Sequence, residues 1–152
     1  MKYWLMKSEP DVYSIETLKK EKKTLWDGIR NYQARNFMMK DMEVGDQVLF
    51  YHSNTKPPGI AGLAVVSKEA QPDPTQFDKS SKYYDPKSSK DAPRWNCVEV
   101  KYRKKLKTYI SLDDIREEKK LEDMVVIKKG SRLSIQPVTK KEFDHICKMG
   151  GL

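Results

Sequence analysis

The sequence predicts an α+β fold in which a mixed, mostly antiparallel sheet closes on itself and carries helices around its outside. Strand-forming runs and helix caps follow one another irregularly, without a βαβ repeat, which excludes a doubly wound parallel sheet. Gln47 to Ser53 and Ile60 to Lys68 are β-forming runs separated by a short loop bearing Pro57, Pro58 and Gly59, the pattern of an antiparallel pair. Ser111-Leu112-Asp113-Asp114 and Thr139-Lys140-Lys141-Glu142 set a hydroxyl three residues before a carboxylate, the reciprocal cap of two later helices.

Taken in order, Lys2 to Lys7 is short and rich in aromatic and apolar residues, a buried strand ended by the turn chemistry of Ser8-Glu9-Pro10-Asp11. Ser14 caps a short helix through Ile15, Leu18 and Lys19, and the cluster Lys19-Lys20-Glu21-Lys22-Lys23 is expected as its solvated end. Asn31 caps a second helix to about Met39, with Ala34, Phe37 and Met38 inward and Arg35 on the side of Asn31. Val44-Gly45-Asp46 turns into the Gln47 to Ser53 run, whose nearly unbroken β-formers predict a strand covered on both faces. Gly59 and Gly62 then permit close backbone approach. Ala70 to Pro93 changes to Pro, Asp, Ser, Lys and Tyr and is expected as a long loop. Arg94 to Arg103 resumes strand character, with a basic edge of Arg103, Lys104, Lys105 and Lys107. Arg132 to Val138 is a short strand that Pro137 confines to an edge or terminus, and Gly150 stops the last helix.

A length of 152 residues suits one domain, 1–152, able to bury its own core. With 30 Lys and Arg against 22 Asp and Glu, the formal charge of +8 favours a polyanionic partner. Three Trp, eight Tyr and four Phe supply a packed interior and exclude disorder throughout. The longest apolar stretch, Ile60 to Val66, is far short of the roughly 20 residues of a membrane-spanning helix, so no membrane partner is expected. The hydrophobic start is too short for a signal-peptide core, which makes the cytoplasm the default location. Cys97 and Cys147 have neither zinc-module nor disulfide spacing, so no metal is expected, and no cofactor is expected either. Nothing in the sequence sets an oligomeric state.

Catalytic material is scarce. His52 and His145 are the only imidazoles, and Ser53, beside His52 on a strand, points to the opposite face. Asp113, Asp114, Glu117 and Glu118 fall on a Lys-rich helix, where a solvated charged surface is the ordinary arrangement. No glycine-rich phosphate loop occurs. Recognition chemistry is better supplied by Trp26-Asp27-Gly28-Ile29-Arg30-Asn31-Tyr32-Gln33-Ala34-Arg35. A Trp at a turn can stack a base while Arg30 and Arg35 hold phosphates; a core Trp with two surface arginines is the other reading of the same residues. If the first and central strands are neighbours, Lys7-Ser8 and His52-Ser53 bring polar groups to one rim.

Trp4 to Pro10, Trp26 to Asn36, Gly45 to Ser53, Pro58 to Ala64, Tyr83 to Lys87 and Arg132 to Val138 together resemble, in order and over nearly the whole chain, the EVE domain family. The resemblance implies a PUA-like mixed β pseudobarrel with peripheral helices, related to the YTH readers of methylated adenine in RNA, and a bacterial form of the family. It also implies a nucleic-acid partner, DNA or RNA, carrying a modified base such as 5-methylcytosine or its oxidised forms. Carried over by similarity, Lys7-Ser8 resembles the Lys-Ser pair of YTH domains, Trp26 the first cage aromatic, and Ser53 the entry of the central strand into the pocket. Asn31 is the candidate for a hydrogen bond to the base edge. The YTH loop that supplies a second aromatic corresponds to Asn54 to Ile60, which contains no Trp, Tyr or Phe. Tyr32, Tyr84, Trp95 or the Pro57-Pro58 pair are the alternatives for that second wall.

The expectation is a non-enzymatic reader whose flipped or splayed base stacks on an indole ring, at Trp26, lying open in a cleft. An enzyme acting on nucleotides or RNA, or a binder of a small nucleotide-like ligand, are the alternatives for the same pocket.

Overall fold

Alternating side chains along two neighbouring strands divide the interior in two. The computed structural model describes residues 1–130 and 132–152. Strand β1 (Tyr3–Ser8) lies parallel to β3 (Gln47–His52), pairing Tyr3 with Gln47 and Ser8 with His52. Trp4 and Met6 join Val48 and Phe50 in one buried cluster, while Leu5 joins Leu49 and Tyr51 in the other. The period of two thus sends apolar side chains to both faces, which explains why the β3 run shows no polar alternation.

The sheet has six strands in the order β2-β5-β4-β3-β1-β6, where β2 is Lys23–Leu25, β4 Gly59–Pro72, β5 Asn96–Ser111 and β6 Ile135–Val138. Every pairing other than β1 with β3 is antiparallel. Pro137 sits on β6, an edge strand paired with β1, where its missing N–H costs no ladder bond. Helix α1 (Ile15–Glu21) contributes Ile15 and Leu18 to the first cluster, and α2 (Tyr32–Asn36) contributes Ala34. Ile115 of α3 (Leu112–Glu117), with Phe143 and Ile146 of α4 (Lys140–Met149), fills the second. Each buried Ile, Leu or Phe among them stabilises by about 1.5–3 kcal/mol relative to exposure. A Cβ on Gly62 would come within 2.6 Å of Ile15 Cγ1, so glycine lets α1 lie directly on β4.

The caps expected at Ser14, Asn31, Ser111 and Thr139 all form, the last two as complete capping boxes. Several boundaries differ. The Lys19 to Lys23 cluster is not merely a helix end: Lys22 takes a positive φ of 75° and Lys23 opens β2, a strand too short to show periodicity. The Asn31 helix changes after Asn36 to a π turn over Phe37–Asp41. Strand β4 runs on to Pro72, into the expected loop, and a short 3-10 turn at Pro74–Phe77 follows. Strand β5 continues through Arg103, Lys104, Lys105 and Lys107 to Ser111, because pairing with β4 holds that charged edge extended. The last strand begins only at Ile135, three residues later than expected at Arg132.

Candidate functional site

A cavity of about 630 Å3 opens where the two ends of the strand order approach each other. Lys7 and Ser8 reach it from β1, Ser53 from the end of β3 and Ser134 from the approach to β6. Across from them stand Leu25 of β2 and then Trp26, Asp27 and Gly28. Residues from opposite margins of one sheet share a cavity only if the sheet curls round, so this is the mouth of the pseudobarrel. The rims are tied by backbone bonds: Ser53 N–H donates to Ser8 O at 2.9 Å and Lys7 N–H to Ser134 O at 2.8 Å.

Trp26 is fixed by its backbone N–H, which donates to Val98 O at 2.8 Å, and by an edge contact with Phe50 at 5.5 Å and 83°. The residue is only 7% exposed, yet it lines the cavity. The open-lying indole of the sequence reading is therefore corrected: the ring belongs to the core cluster and faces a void. Tyr13 and Tyr83 line the same space. The Tyr13 hydroxyl donates to Glu21 Oε1 at 2.8 Å, and burial, reinforced by that carboxylate, pushes its pKa up to about 12.

Polar groups surround the aromatic walls. Ser8 Oγ donates to Tyr13 O, leaving its lone pairs able to accept. Burial pushes the Lys7 ammonium below its ordinary range. Asp27, exposed as a residue at the mouth, has its carboxyl pushed up by the protein around it and next by the charge of Asp73, with Arg30 opposing. Lys82 and Arg132 also line the cavity.

A model of the EVE domain matches residues 2–149. This chain belongs to the EVE domain family. It is 44% identical over 166 residues to thymocyte nuclear protein 1 of Homo sapiens, covering 97% of this chain and 73% of that protein. Its fold matches the structure of a hypothetical protein from Leishmania major with a TM-score of 0.94 and 46% identity, over 99% of this chain and 95% of that one. It matches human THYN1 protein in complex with 5-methylcytosine containing DNA with a TM-score of 0.92 and 43% identity, over 100% and 99% of the two chains.

Of the residues the sequence singled out, this EVE domain gathers Lys7, Ser8, Trp26 and Ser53 around one cavity and leaves the others outside it. Asn31 does not line the cavity; its Oδ1 accepts the Ala34 N–H at 3.0 Å as the cap of α2. Arg30 is corrected from a phosphate ligand to a structural clamp. Its guanidinium donates to Tyr83 O through Nε and Nη2, to Ile29 O and Asp73 Oδ2 through Nη1, and to Thr75 Oγ1 through Nη2. Those bonds engage every donor an arginine has. Arg35 donates to Arg94 O and Asn36 Oδ1 and also lies away from the cavity.

None of the proposed second walls, Tyr32, Pro57, Pro58, Tyr84 or Trp95, lines the cavity. Tyr83 does, one position from Tyr84, and the reason is Gly28. At φ +80° and without a side chain, Gly28 admits the Tyr83 ring so closely that a Cβ would sit 2.7 Å from Tyr83 Cε2. The Trp26-Asp27-Gly28 turn and the tyrosine pair were both legible, but their contact spans more than fifty residues of chain.

His52 cannot serve as the base of a dyad in this arrangement. Its Nε2 accepts the N–H of Ile15 at 3.1 Å, and burial first, then Lys105, holds its pKa below the usual value, against Glu16.

Proposed function

We propose that the chain, acting as a single domain over 1–152, is a non-enzymatic reader that takes a modified cytosine-type base of DNA into the cavity beside Trp26. The observation that carries this reading is the cavity itself, a space within the roughly 300–1,000 Å3 of small-ligand sites, walled by Trp26, Tyr13 and Tyr83. The complex of human THYN1 protein with 5-methylcytosine containing DNA, a protein 43% identical to this chain, supports the choice of base. An aromatic enclosure gains from a methyl group that water disfavours, about 0.8 kcal/mol or near fourfold in affinity. Discrimination beyond that needs polar groups at the base edge, a role for Ser8, Ser53 and Asp27, whose carboxylate can accept from the exocyclic amine of cytosine. Lys7, Lys82 and Arg132 supply positive charge at the mouth for the phosphates of a flipped nucleotide.

The test is fluorescence-anisotropy binding of matched DNA and RNA strands carrying cytosine or 5-methylcytosine. Wild type is expected to prefer the methylated DNA by about fourfold or more, and Trp26→Ala to lose both the preference and at least tenfold in affinity. Unchanged binding by Trp26→Ala would contradict the cavity as the site; a stronger preference for RNA would reassign the polymer. Turnover of any of these strands by nuclease-free protein would contradict the non-enzymatic reading.

A further inference from the structure

The aromatic side chains that the cavity leaves out assemble into a second structure. Tyr32 stacks on Trp95 with ring centroids 4.8 Å apart and planes inclined by 20°. Trp95 is immobilised in turn: its Nε1–H donates to Asp85 Oδ2 at 2.8 Å, and the guanidinium carbon of Arg30 lies 5.2 Å from its ring. The guanidinium carbon of Arg35 lies over the Tyr32 ring, 4.6 Å from its centroid, and 5.9 Å from that of Trp95, steered by the bond from its Nη1 to Arg94 O at 2.8 Å. Trp95 is buried, whereas Tyr32 remains 48% exposed. The stack therefore ends in an aromatic ring held by Trp95, half exposed to solvent, with a cation over it.

That combination fits an unpaired nucleobase. Base-on-tyrosine stacking is indifferent to base identity because every base has a π face, and a ring already held in place loses little freedom on binding. Arg35 uses only part of its five-donor fork inside the protein, so N–H groups remain for a phosphate. The net charge of +8 favours a polyanion over an acid-poor protein surface. Arg30 also connects this stack to the cavity, since its guanidinium lies 5.6 Å from the ring of Tyr83 as well as against Trp95. Cavity and stack thus share one frame.

We propose that Tyr32, backed by Trp95 and flanked by Arg35, is a second stacking platform that holds an unpaired nucleobase outside the cavity, on the strand whose modified base the cavity takes. The proposal rests on the chain's being a nucleic-acid binder, but not on which base the cavity selects. Its physical signature is a contribution that depends on strand length: a single nucleoside occupies the cavity alone, whereas a longer single strand reaches both sites.

The experiment compares wild type, Tyr32→Ala, Tyr32→Leu, Tyr32→Phe and Trp26→Ala for binding 5-methyldeoxycytidine and a twelve-nucleotide single strand carrying one 5-methylcytosine, with 2-aminopurine at neighbouring positions. Tyr32→Ala and Tyr32→Leu are expected to weaken binding of the strand about tenfold, to abolish quenching of one 2-aminopurine, and to leave nucleoside affinity unchanged. Tyr32→Phe is expected to behave as wild type. Unchanged strand affinity in both Tyr32→Ala and Tyr32→Leu overturns the platform, as does an equal loss for nucleoside and strand, which would place the effect in the cavity. If Trp26→Ala keeps its methyl preference while Tyr32→Leu loses strand affinity, the cavity reading fails and the platform stands.

Discussion

Nη1 of Arg30 lies 3.1 Å from Oδ2 of Asp73, a residue only 1% exposed. The same carboxylate accepts the Gly28 N–H at 2.8 Å and the Thr75 N–H and hydroxyl at 2.8 and 2.6 Å. One buried aspartate and one arginine therefore join the turn after Trp26 to the segment that carries Tyr83. Arg30→Lys keeps the charge but not the planar fork, and Arg30→Met leaves Asp73 buried without its cation. Arg30→Met is expected to lose about 3 kcal/mol in urea unfolding, with Arg30→Lys intermediate. Neither should change the number of phosphates contacted by residual binding activity, measured as the salt slope.

The cations at the cavity mouth should behave in the opposite way. Lys82→Gln and Arg132→Gln remove exposed side chains that form no ion pair among the described residues, Lys82 lying 5.0 Å from the Tyr83 ring, so unfolding free energies should stay within about 0.5 kcal/mol of wild type. Each is expected to reduce the slope of log affinity against log salt by about 0.7 on single strands. A slope that stays the same in both variants would remove them from the phosphate contacts.

Gly28→Ala tests the packing of the second aromatic wall. The new Cβ would meet the Tyr83 ring at 2.7 Å on a backbone at φ +80°, so the ring must move and the residue is strained. A destabilisation of about 1–3 kcal/mol is expected from the backbone alone. Affinity for the methylated base should fall more steeply than affinity for the unmodified strand, because Tyr83 no longer closes on the base.

His52 predicts a pH dependence of stability. Burial depresses its folded pKa below the unfolded value of 6.5, so the neutral imidazole is favoured in the native state. The unfolded chain binds a proton first as pH falls, and native stability contributed by neutral His52 is present above 6.5 and declines below it. His52→Gln retains an acceptor for the Ile15 N–H and should show a flatter stability profile between pH 7 and 5 in chemical denaturation. An unchanged slope in that variant would mean that other groups set the acid limb.

Local chemistry carried much of the architecture. The four caps needed only a hydroxyl or amide at one position and a free N–H three residues later, all within one turn of chain. Trp4, Met6, Leu5 and their partners in β3 were legible as buried strands because both faces are apolar. Strand β2 was not, since three residues show no period and their extended shape comes from pairing Lys23 to Lys101 and Leu25 to Glu99.

What the amino-acid sequence determined by itself about this protein was its element chemistry, its positive charge, its family blocks and the placing of Lys7, Ser8 and Ser53 at strand ends and of Trp26 at a turn. Tertiary structure alone decided the second wall and the fate of the cations. Tyr83 rather than Tyr84 meets the cavity because a side-chain-free Gly28 lies against it, and Arg30 is unavailable because a distant Asp73 is buried beside it. Both outcomes depend on contacts between residues far apart in the chain, and a local pattern records which groups can bond but not which of them the closing sheet brings together.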